Sequence, residues 1–397
     1  MKRKIMIIGA GRGQVSLIKT AQRMGLEVSV VTHADHYPGV PPADKVLHAN
    51  ILEPESVLAV AKGEGFEGVA TACLDTGVEA LGYVCDNLGL SGLSYAAAKK
   101  ARDKLLMKQA LTAAGVPTAK FRQITDKNAL QDALCELELQ LIIKEVDLQG
   151  SRGIYICRTK EDVLANYELV MSQTNKNYCI LEEFIVGREF GTEAFVHNGE
   201  VLFVLPHGKN NYLSHTGVPI GHYAPLDRPD EFIAQVEEVV RGGIAALGLD
   251  NCAVNVDLIE RDGKVYIIEL TGRVGANGIP ELVSLYFGID YFEMIIACAM
   301  GDDPSEIFAK RLKVPQPNAS RMLTTEQSGE VLEIINKNDK DDPRICDLTF
   351  FVGPGDEVRK FINSNDCVGQ TIVIGDSYES CDAKIEQIKN NVQIVLK

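Results

Sequence analysis

The sequence predicts an α/β protein that ends in a smaller α+β region. The first hundred residues alternate short apolar strands with helices, which is the pattern of a doubly wound α/β domain. After residue 319 the chain alternates short strands and turns and closes with one helix and one strand, as a small α+β domain does. Its 397 residues, 46% of them hydrophobic and 24% charged, suffice for about two to four globular domains.

The N-terminal region opens with an apolar strand, a glycine-rich turn and a helix. The turn, Gly9-Ala-Gly-Arg-Gly-Gln14, places backbone N–H groups at a helix N-terminus, where an anion is favoured. Gln14 replaces the third glycine of a dinucleotide fingerprint, and the second strand ends in Thr32-His33 without an acid for ribose hydroxyls. The pattern argues against NAD binding.

Asp75 is a candidate site residue in this region. It follows a strand at residues 68–73, and open α/β sheets bind ligands at the carboxyl ends of their strands. An aspartate just before a helix is also a common N-cap. The sequence leaves both roles open, with capping the commoner one.

Composition excludes several classes of partner. The formal net charge of −15 argues against nucleic acid or an anionic membrane, which bind clustered Lys and Arg. Ten scattered cysteines without a C-x-x-C pair indicate neither a zinc site nor a disulfide framework, which fits a reducing cytoplasm. The N-terminus has too few apolar residues for a signal peptide, and the apolar segments are shorter than a membrane span. We expect a cytoplasmic protein that acts on small molecules.

A β-hairpin is predicted near the end of the second third of the chain. Two β-rich runs, residues 252–259 and 264–270, flank a polar turn that ends in Asp262-Gly263. A three-residue loop would place Asp257 and Glu269 on one face, because side chains alternate along a strand. A two-residue loop would split them between faces. A site that uses both carboxylates therefore requires an odd-membered loop, which is predicted at Arg261 to Gly263.

In that predicted register Asp257 faces Ile267, Glu269 faces Asn255, and the three polar side chains share one face. Two carboxylates beside a cation such as Arg273 provide hard oxygen ligands for Mg²⁺ and a donor fork for a polyphosphate. An ordinary hairpin with solvated acids is the alternative, and the hairpin alone leaves both interpretations open.

A strand that ends in Lys144 leads into a Gly/Ser loop at residues 150–153 and a second strand at residues 154–157. Such a loop makes a flap whose backbone N–H groups can close over phosphates, with a mobile hairpin tip as the alternative. It is not a P-loop, which needs a helix and a Lys-Ser/Thr ending after its glycines.

Further along, a strand breaks at the hinge Glu182-Glu-Phe-Ile185 and resumes. Hinges of this kind present backbone groups to an adenine edge, with the purine between aliphatic side chains such as Ile142 and Leu258. Between Pro206 and Pro225 a polar loop is predicted, and its three histidines indicate substrate recognition, although a single histidine is more often structural. Residues 279–300 are predicted to form one long buried helix interrupted by Gly288.

The order of these motifs resembles the ATP-grasp superfamily. The set is Asp103-Lys104 on a helix, Lys144 before the flap, the hinge at Glu182, and Asp257 with Glu269-x-Thr271-x-Arg273. Within that superfamily the chain is similar to the carboxylate–amine ligases, which include biotin carboxylase, phosphoribosylglycinamide synthetases, carbamoyl-phosphate synthetase modules and amino-acid ligases. The resemblance implies an ATP-grasp fold: a pre-ATP-grasp α/β domain at 1–96, an ATP-grasp domain at 97–318 with a flap subdomain at about 118–185, and an α+β cap domain at 319–397.

The resemblance also implies roles for individual residues. The implied catalytic residues are Lys144, Glu269 and Arg273, the last holding the carboxylate and the acyl phosphate. The implied metal ligands are Asp257, Glu269 and Thr271, which stands where the family usually has asparagine. The implied nucleotide contacts are Lys104, Lys144, Gly150, Ser151, Gly153, Glu182, Glu183, Ile185, Glu189 and Leu258. The candidate substrate contacts are Arg12, Asp75, His207, His215 and Gly275.

The implied reaction is an ATP- and Mg²⁺-dependent ligation, with one or two metal ions and Mn²⁺ as an alternative. A small carboxylate, with an amino acid among the candidates, would be activated as an acyl phosphate and coupled to an amine, releasing ADP and phosphate. A purine-biosynthetic phosphoribosylglycinamide synthetase or carboxylase is the alternative enzyme, and a nucleotide-binding sensor without turnover is the alternative class. The implied partners are small molecules, and a homodimer is common in the family.

Overall fold

The computed structural model describes residues 2–147, 153–213 and 217–397, except the side chain of Leu213. The predicted flap residues Gly150 and Ser151 and the candidate His215 lie outside these ranges. The chain forms two compact units. The first comprises Met1–Val204, Arg228–Val274 and Phe292–Ser305, and the second comprises Leu205–Asp227, Gly275–Tyr291 and Glu306–Lys397. The three-domain division stays a prediction.

The secondary structure follows the predicted alternation. The elements that precede the hinge are β1 Lys4–Ile8, α1 Arg12–Arg23, β2 Glu27–Thr32, β3 Lys45–His48, α2 Pro54–Ala61, β4 Gly68–Ala70, α3 Val78–Leu88, α4 Tyr95–Arg102, α5 Lys104–Ala113, β5 Phe121–Ile124, α6 Lys127–Glu136, β6 Leu141–Lys144, β7 Ile154–Cys157, α7 Lys160–Gln173 and β8 Cys179–Glu183. Short 3₁₀ turns occupy Asp75–Gly77 and Ser364–Asp366.

The remaining elements begin after the hinge. They are β9 Arg188–His197, β10 Glu200–Leu213, β11 Gly217–Ala224, α8 Asp230–Leu247, β12 Cys252–Arg261, β13 Lys264–Thr271, α9 Ile279–Phe287, α10 Tyr291–Ala299, α11 Ser305–Phe308, β14 Asn318–Leu323, β15 Gly329–Asn336, β16 Ile345–Phe350, β17 Glu357–Val358, β18 Gly369–Ile374, α12 Tyr378–Asn390 and β19 Val392–Leu396.

The N-terminal region of the first unit contains the predicted parallel sheet, in the strand order β3-β2-β1-β4. Met6 and Ile8 on β1 belong to one apolar cluster with residues of α2 and α3. Ile5 and Ile7 alternate to the other face and are also fully buried. Because a parallel sheet is buried on both faces, β1 is a continuous apolar run, and each such side chain stabilises the fold by about 1.5–3 kcal/mol.

A second, antiparallel sheet has the order β5-β8-β6-β7. One of its faces packs against α6 and α7, through Leu141 and Ile143 on β6 and Leu181 on β8. The alternate residues, among them Lys144 and Glu182, project from the opposite face. This sheet therefore presents its charged residues on the face away from its own helical layer.

The predicted hairpin is β12–β13, but the predicted loop and register are wrong. Arg261 pairs with Lys264, so the loop is the two-residue Asp262-Gly263 turn, and both of its residues have positive φ (53° and 74°). Continued without interruption, this register would pair Asp257 with Ile268. A β-bulge at Ile268 shifts the pairing by one residue and places Glu269 directly opposite Asp257. The two carboxylates share a face as expected, but because of the bulge and not the loop.

In the second unit two predictions are corrected. The expected polar loop at residues 206–225 is mostly an antiparallel pair of strands, β10 and β11, because its apolar residues Val218 and Tyr223 are buried. The expected single helix at residues 279–300 is two helices, since Gly288 adopts a left-handed conformation (φ 65°) and ends α9. The C-terminal region is α+β, as expected: α12 packs through Cys381 and Ile385 on the strands β14 and β18.

No single helix among the described residues is long and apolar enough to cross a membrane, and α9 and α10 meet that composition only when taken together.

Candidate active site

A buried network of two lysines and one glutamate lies in the first unit. Lys144 Nζ is 2.8 Å from one carboxylate oxygen of Glu182, and Lys108 Nζ on α5 is 3.0 Å from the other. The three side chains are almost fully buried. Buried charges are costly unless they are paired, so their mutual contacts hold them in place. The network carries more positive than negative charge, which suits a site for an anion.

Burial and neighbouring opposite charges shift the pKa values of these groups in opposite directions. Burial alone would raise the pKa of Glu182, but Lys108 and Lys144 hold it below its ordinary value. Burial lowers the pKa of Lys108 to about 8, although attraction from Glu182 and Glu269 opposes this effect. Lys108 is therefore close to its titration range in a mildly alkaline solution.

The free energy of unfolding should depend on pH through Lys108. Its pKa is about 8 in the folded protein and 10.5 ordinarily, so the unfolded chain binds more protons between those values. The lysine therefore destabilises the fold below pH 8, and this penalty of about 3 kcal/mol is relieved as the pH rises to 10.5. Thermal midpoints measured from pH 7 to 10 should rise for the wild type relative to Lys108→Met. Parallel curves for the two proteins would contradict the assignment.

Lys104, a predicted phosphate contact, occupies the first turn of α5. Asp103 starts this helix by accepting hydrogen bonds from the backbone N–H groups of residues 105 and 106, at 2.9 and 3.2 Å. Lys104 Nζ lies 3.0 Å from Oε1 of Glu145, and both side chains are buried. Gly153, at the end of the flap, packs directly on Glu145: a Cβ there would lie 2.5 Å from its Cγ. Gly153, the last residue of the predicted flap, is thus close to the ion pair of Lys104 and Glu145.

The hairpin carboxylates lie in adjoining rows of polar side chains. Asp257 stands opposite Glu269 on β13 and opposite Gly191 on β9. In the next row Asn255 donates a 2.6 Å hydrogen bond to Glu193. Thr271, the third predicted metal ligand, is buried opposite Asn255.

The donor set of this row fits Mg²⁺. Two like charges directly opposite each other, with Cβ atoms about 5 Å apart, repel unless a cation lies between them. Within the described ranges no group of three or more His, Cys, Asp or Glu side chains could hold a metal ion alone. Mg²⁺ is commonly bound by one or two carboxylates together with substrate phosphates and water. The pair Asp257 and Glu269 suits an ion that arrives with a nucleotide.

Arg273 is held by Asp75 in a two-pronged ion pair. Its Nε and Nη2 donate hydrogen bonds of 2.8 and 2.7 Å to the two carboxylate oxygens. Burial alone would raise the pKa of Asp75, but Arg273 holds it below its ordinary value. Helix α3 has no side-chain cap at its N-terminus, so the capping role expected for Asp75 is wrong. Asp75 instead fixes the guanidinium of the predicted catalytic arginine.

The hinge has part of its backbone already engaged. The N–H of Glu183 donates to the Lys120 carbonyl at 2.9 Å, and that of Phe184 donates to the Gln140 carbonyl at 2.8 Å. An adenine contact of Glu183 would therefore use its carbonyl oxygen. The side chain predicted to recognise adenine, Glu182, is bound by Lys108 and Lys144.

The structure changes one aliphatic contact of the predicted site. Leu258 is fully buried and alternates to the face opposite Asp257. Ile259 shares the face of Asp257 and stands opposite Glu189, the predicted ribose contact. Ile259, and not Leu258, is thus the aliphatic side chain of this pair on the face that carries Asp257, and the nucleotide contact of either stays a prediction.

The candidate substrate contacts are dispersed. Arg12 is exposed at the first residue of α1, while Gln14 is buried and donates to the Ala72 carbonyl. His207 and Gly275 belong to the second unit, where the rings of His207 and His222 meet edge to face at 5.1 Å. Burial lowers the pKa of His222 well below its ordinary value, so this ring is neutral. Substrate roles for these residues stay predictions.

Three residues of the site were missed by the sequence analysis. Lys108 lies one helical turn after Lys104, Glu145 follows Lys144, and Glu193 lies four positions after Glu189 on one face of a strand. The spacing of each charged residue from a predicted one was the available signal. None belongs to a motif that specifies its partner.

Two family models match separate parts of the chain. Residues 102–249 match the family model for the ATP-grasp (A) domain of phosphoribosylglycinamide synthetase, and residues 321–397 match L-amino acid ligase C-terminal domain 2. The crystal structure of phosphoribosylglycinamide synthetase from Anaerococcus prevotii is 43% identical, with a TM-score of 0.88 and 100% of both chains covered. The chain belongs to the ATP-grasp ligase family. Its relatives include members of the carboxylate–amine ligase branch of that family.

Two other relatives of this ATP-grasp ligase are amino-acid ligases. L-amino acid ligase from Bacillus licheniformis has the same fold, with a TM-score of 0.85 at 21% identity over 100% of this chain and 99% of the other. Alanine–anticapsin ligase from Bacillus subtilis (strain 168) is 26% identical over 61% of this chain. The match spans 56% of that ligase, a little over half its length.

Proposed function

We propose that this ATP-grasp ligase activates a small carboxylate, in the first instance that of an amino acid, as an acyl phosphate and couples it to an amine. The observation that carries the proposal is the bulged hairpin, which sets Asp257 opposite Glu269 on a face that also carries Asn255. The Lys108–Glu182–Lys144 network supplies buried positive charge in the same unit. Together these groups suit a metal ion at one end and a polyphosphate along the site.

Each step of the reaction has a group suited to it. A carboxylate oxygen of the substrate attacks the γ-phosphorus of ATP, ADP leaves, and an acyl phosphate forms; the amine then displaces phosphate. A Mg²⁺ ion held by Asp257 and Glu269 would neutralise charge on the phosphates. Lys104 and Lys144 would stabilise the transferring phosphoryl group, which needs positioning and electrostatic stabilisation more than covalent help. No protein nucleophile is required.

Arg273 would hold the substrate carboxylate or the acyl phosphate. A guanidinium binds such groups through two parallel N–H donors. Asp75 accepts from two of the five guanidinium N–H donors, those on Nε and Nη2, and this orients the guanidinium plane before substrate binds. Nη1 of the same arginine donates to the Val274 carbonyl at 3.0 Å, which removes a further degree of freedom. Such preorganisation lowers the cost of reaching the transition state.

The amino-acid substrate class rests on the match of the C-terminal residues to an L-amino acid ligase domain and on the similarity to alanine–anticapsin ligase. A second candidate, phosphoribosylglycinamide synthesis, is favoured by the 43% identity to the Anaerococcus protein. That reaction needs a cationic pocket for a ribose phosphate, for which Arg12 at the N-terminus of α1 is the candidate residue.

A two-substrate screen separates these candidates. ADP and phosphate release should require both an amino acid and an amine, and mass spectrometry should show the amide product. Release that requires glycine with phosphoribosylamine, and that fails in Arg12→Ala, would support the second candidate. Mg²⁺-dependent ATP binding without release across the panel would instead indicate a sensor.

A further inference from the structure

The residue before the bulge at Ile268, Ile267, is tied to another segment of the first unit. The N–H of Ile267 donates to the Pro117 carbonyl at 2.9 Å, and its carbonyl accepts a 2.8 Å hydrogen bond from the Thr118 hydroxyl. Thr118 and Ile267 also form an isolated parallel bridge. Among the described residues β13 is the edge strand of its sheet, and residues 117 and 118 take the place of a neighbouring strand there.

The Thr118 hydroxyl has a defined orientation. Lys108 Nζ lies 2.8 Å from Thr118 Oγ1, and an ammonium group can only donate. The hydroxyl oxygen therefore accepts from Lys108, and its one proton is directed to the Ile267 carbonyl. A continuous series of polar contacts thus runs from Lys144 through Glu182, Lys108 and Thr118 to the backbone beside the bulge.

The side chain of Ile267 is anchored as well. It is 1% exposed, and a Cβ placed on Gly243 of α8 would lie 2.6 Å from its Cδ1. Ile267 is therefore fixed through backbone and side chain, and the extra residue follows it immediately. If Ile267 moved along β13, the bulge could relax toward the uninterrupted register, in which Glu269 faces away from Asp257.

We propose that Thr118, oriented by Lys108, is a positioning residue that holds the bulge and thereby keeps Glu269 opposite Asp257. It links the lysines at the nucleotide end of the site to the carboxylates at the metal end. The nucleotide part of this inference rests on the proposed function, whereas the control of the bulge does not. Thr118 itself contacts neither metal nor nucleotide in this assignment.

The first test examines the bulge without any ligand. Amide hydrogen exchange of the free protein should become at least fivefold faster in the peptide covering residues 265–271 of Thr118→Val. Thr118→Ser, which keeps the hydroxyl, should exchange like the wild type. The matched control is Thr325→Val, because Thr325 is a buried threonine in the second unit whose hydroxyl also donates to a backbone carbonyl, that of Arg359 at 2.9 Å. Unchanged exchange of residues 265–271 in Thr118→Val would overturn the proposal.

The second test measures ADP affinity by calorimetry with and without Mg²⁺. In Thr118→Val the gain in affinity that Mg²⁺ provides should shrink about tenfold, with less than a twofold change in affinity for ADP alone, and Thr118→Ser should restore it. An equal loss with and without Mg²⁺ would mean a merely structural role and overturn the positioning assignment. If the wild type itself shows no Mg²⁺-dependent binding of ADP, the proposed function fails and the nucleotide part of the inference with it, while the exchange result still decides the role in the bulge.

Discussion

Glu269→Gln is expected to lower substrate-dependent ADP release by about a thousandfold, the scale on which loss of one electrostatic stabiliser acts. The amide keeps the size and position of the carboxylate opposite Asp257 but removes one negative charge. It therefore removes a hard anionic ligand for Mg²⁺ at the place where charge develops on the phosphates. The assay is ADP release at saturating ATP over a series of Mg²⁺ concentrations.

The same substitution should leave the fold intact. The amide removes the repulsion from Asp257 but also the attraction between Glu269 and Lys108, so the two effects oppose each other and the thermal midpoint should stay close to that of the wild type. Mg²⁺ together with ADP should raise the midpoint of the wild type but not that of Glu269→Gln. Glu200→Gln, an exposed glutamate at the start of β10, is the matched control and should behave as the wild type does. Full activity in Glu269→Gln would remove this residue from the metal site.

Arg273→Met should destabilise the protein by about 3 kcal/mol and abolish ligation. Only 21% of the Asp75 side-chain surface is exposed, and removing its partner leaves a carboxylate without its main compensation, for which about 3–5 kcal/mol is typical. The measurement is the thermal midpoint at pH 7, compared with the double variant Asp75→Asn/Arg273→Met. The double variant should recover part of the lost stability but none of the activity.

The stability difference between Arg273→Met and the wild type should depend on pH in a defined direction. In the wild type the pKa of Asp75 is lowered, so the stability from this pair is present above the ordinary pKa near 4 and is lost as the pH falls below it. In Arg273→Met the main group that lowers the pKa of Asp75 is gone, so burial should raise this pKa. Protonation of Asp75 should then relieve the cost of burying its charge. The stability gap between variant and wild type should therefore narrow from pH 7 toward pH 4. A constant gap would contradict the account.

A second ion pair provides the matched control. Arg228 makes a two-pronged pair with Glu260, whose side chain is 16% exposed, and β12 alternation points Glu260 away from the face of Asp257. Arg228→Met should also lose stability, because it removes the partner of Glu260, while it retains activity per folded molecule. Equal loss of activity in Arg228→Met and Arg273→Met would show that destabilisation, and not the missing guanidinium, causes the effect.

Much of the fold was predictable because local patterns encode it. The apolar run of β1, the glycine turn at Gly9 and the β-rich runs of the hairpin each specify their own element. The wrong predictions concern segments whose structure depends on residues outside the local pattern. The polar residues between Pro206 and Pro225 suggested a loop, but most of this segment forms paired strands. Gly288 was taken as an interruption of one helix, and its left-handed backbone ends that helix.

Asp257 and Glu269, on which the metal hypothesis rests, show which features follow from the sequence and which require the tertiary structure. The sequence by itself determined that two carboxylates and an arginine lie on or beside one hairpin, because that information is held within about twenty residues. Only the tertiary structure decided that they share a face, because a bulge at Ile268 brings them together, and its neighbour Ile267 is hydrogen-bonded to residues 117 and 118, far away in the chain. The same is true of Asp75 and Arg273, 198 positions apart. Pairing of groups distant in sequence is set by packing of the whole unit, which no local spacing specifies.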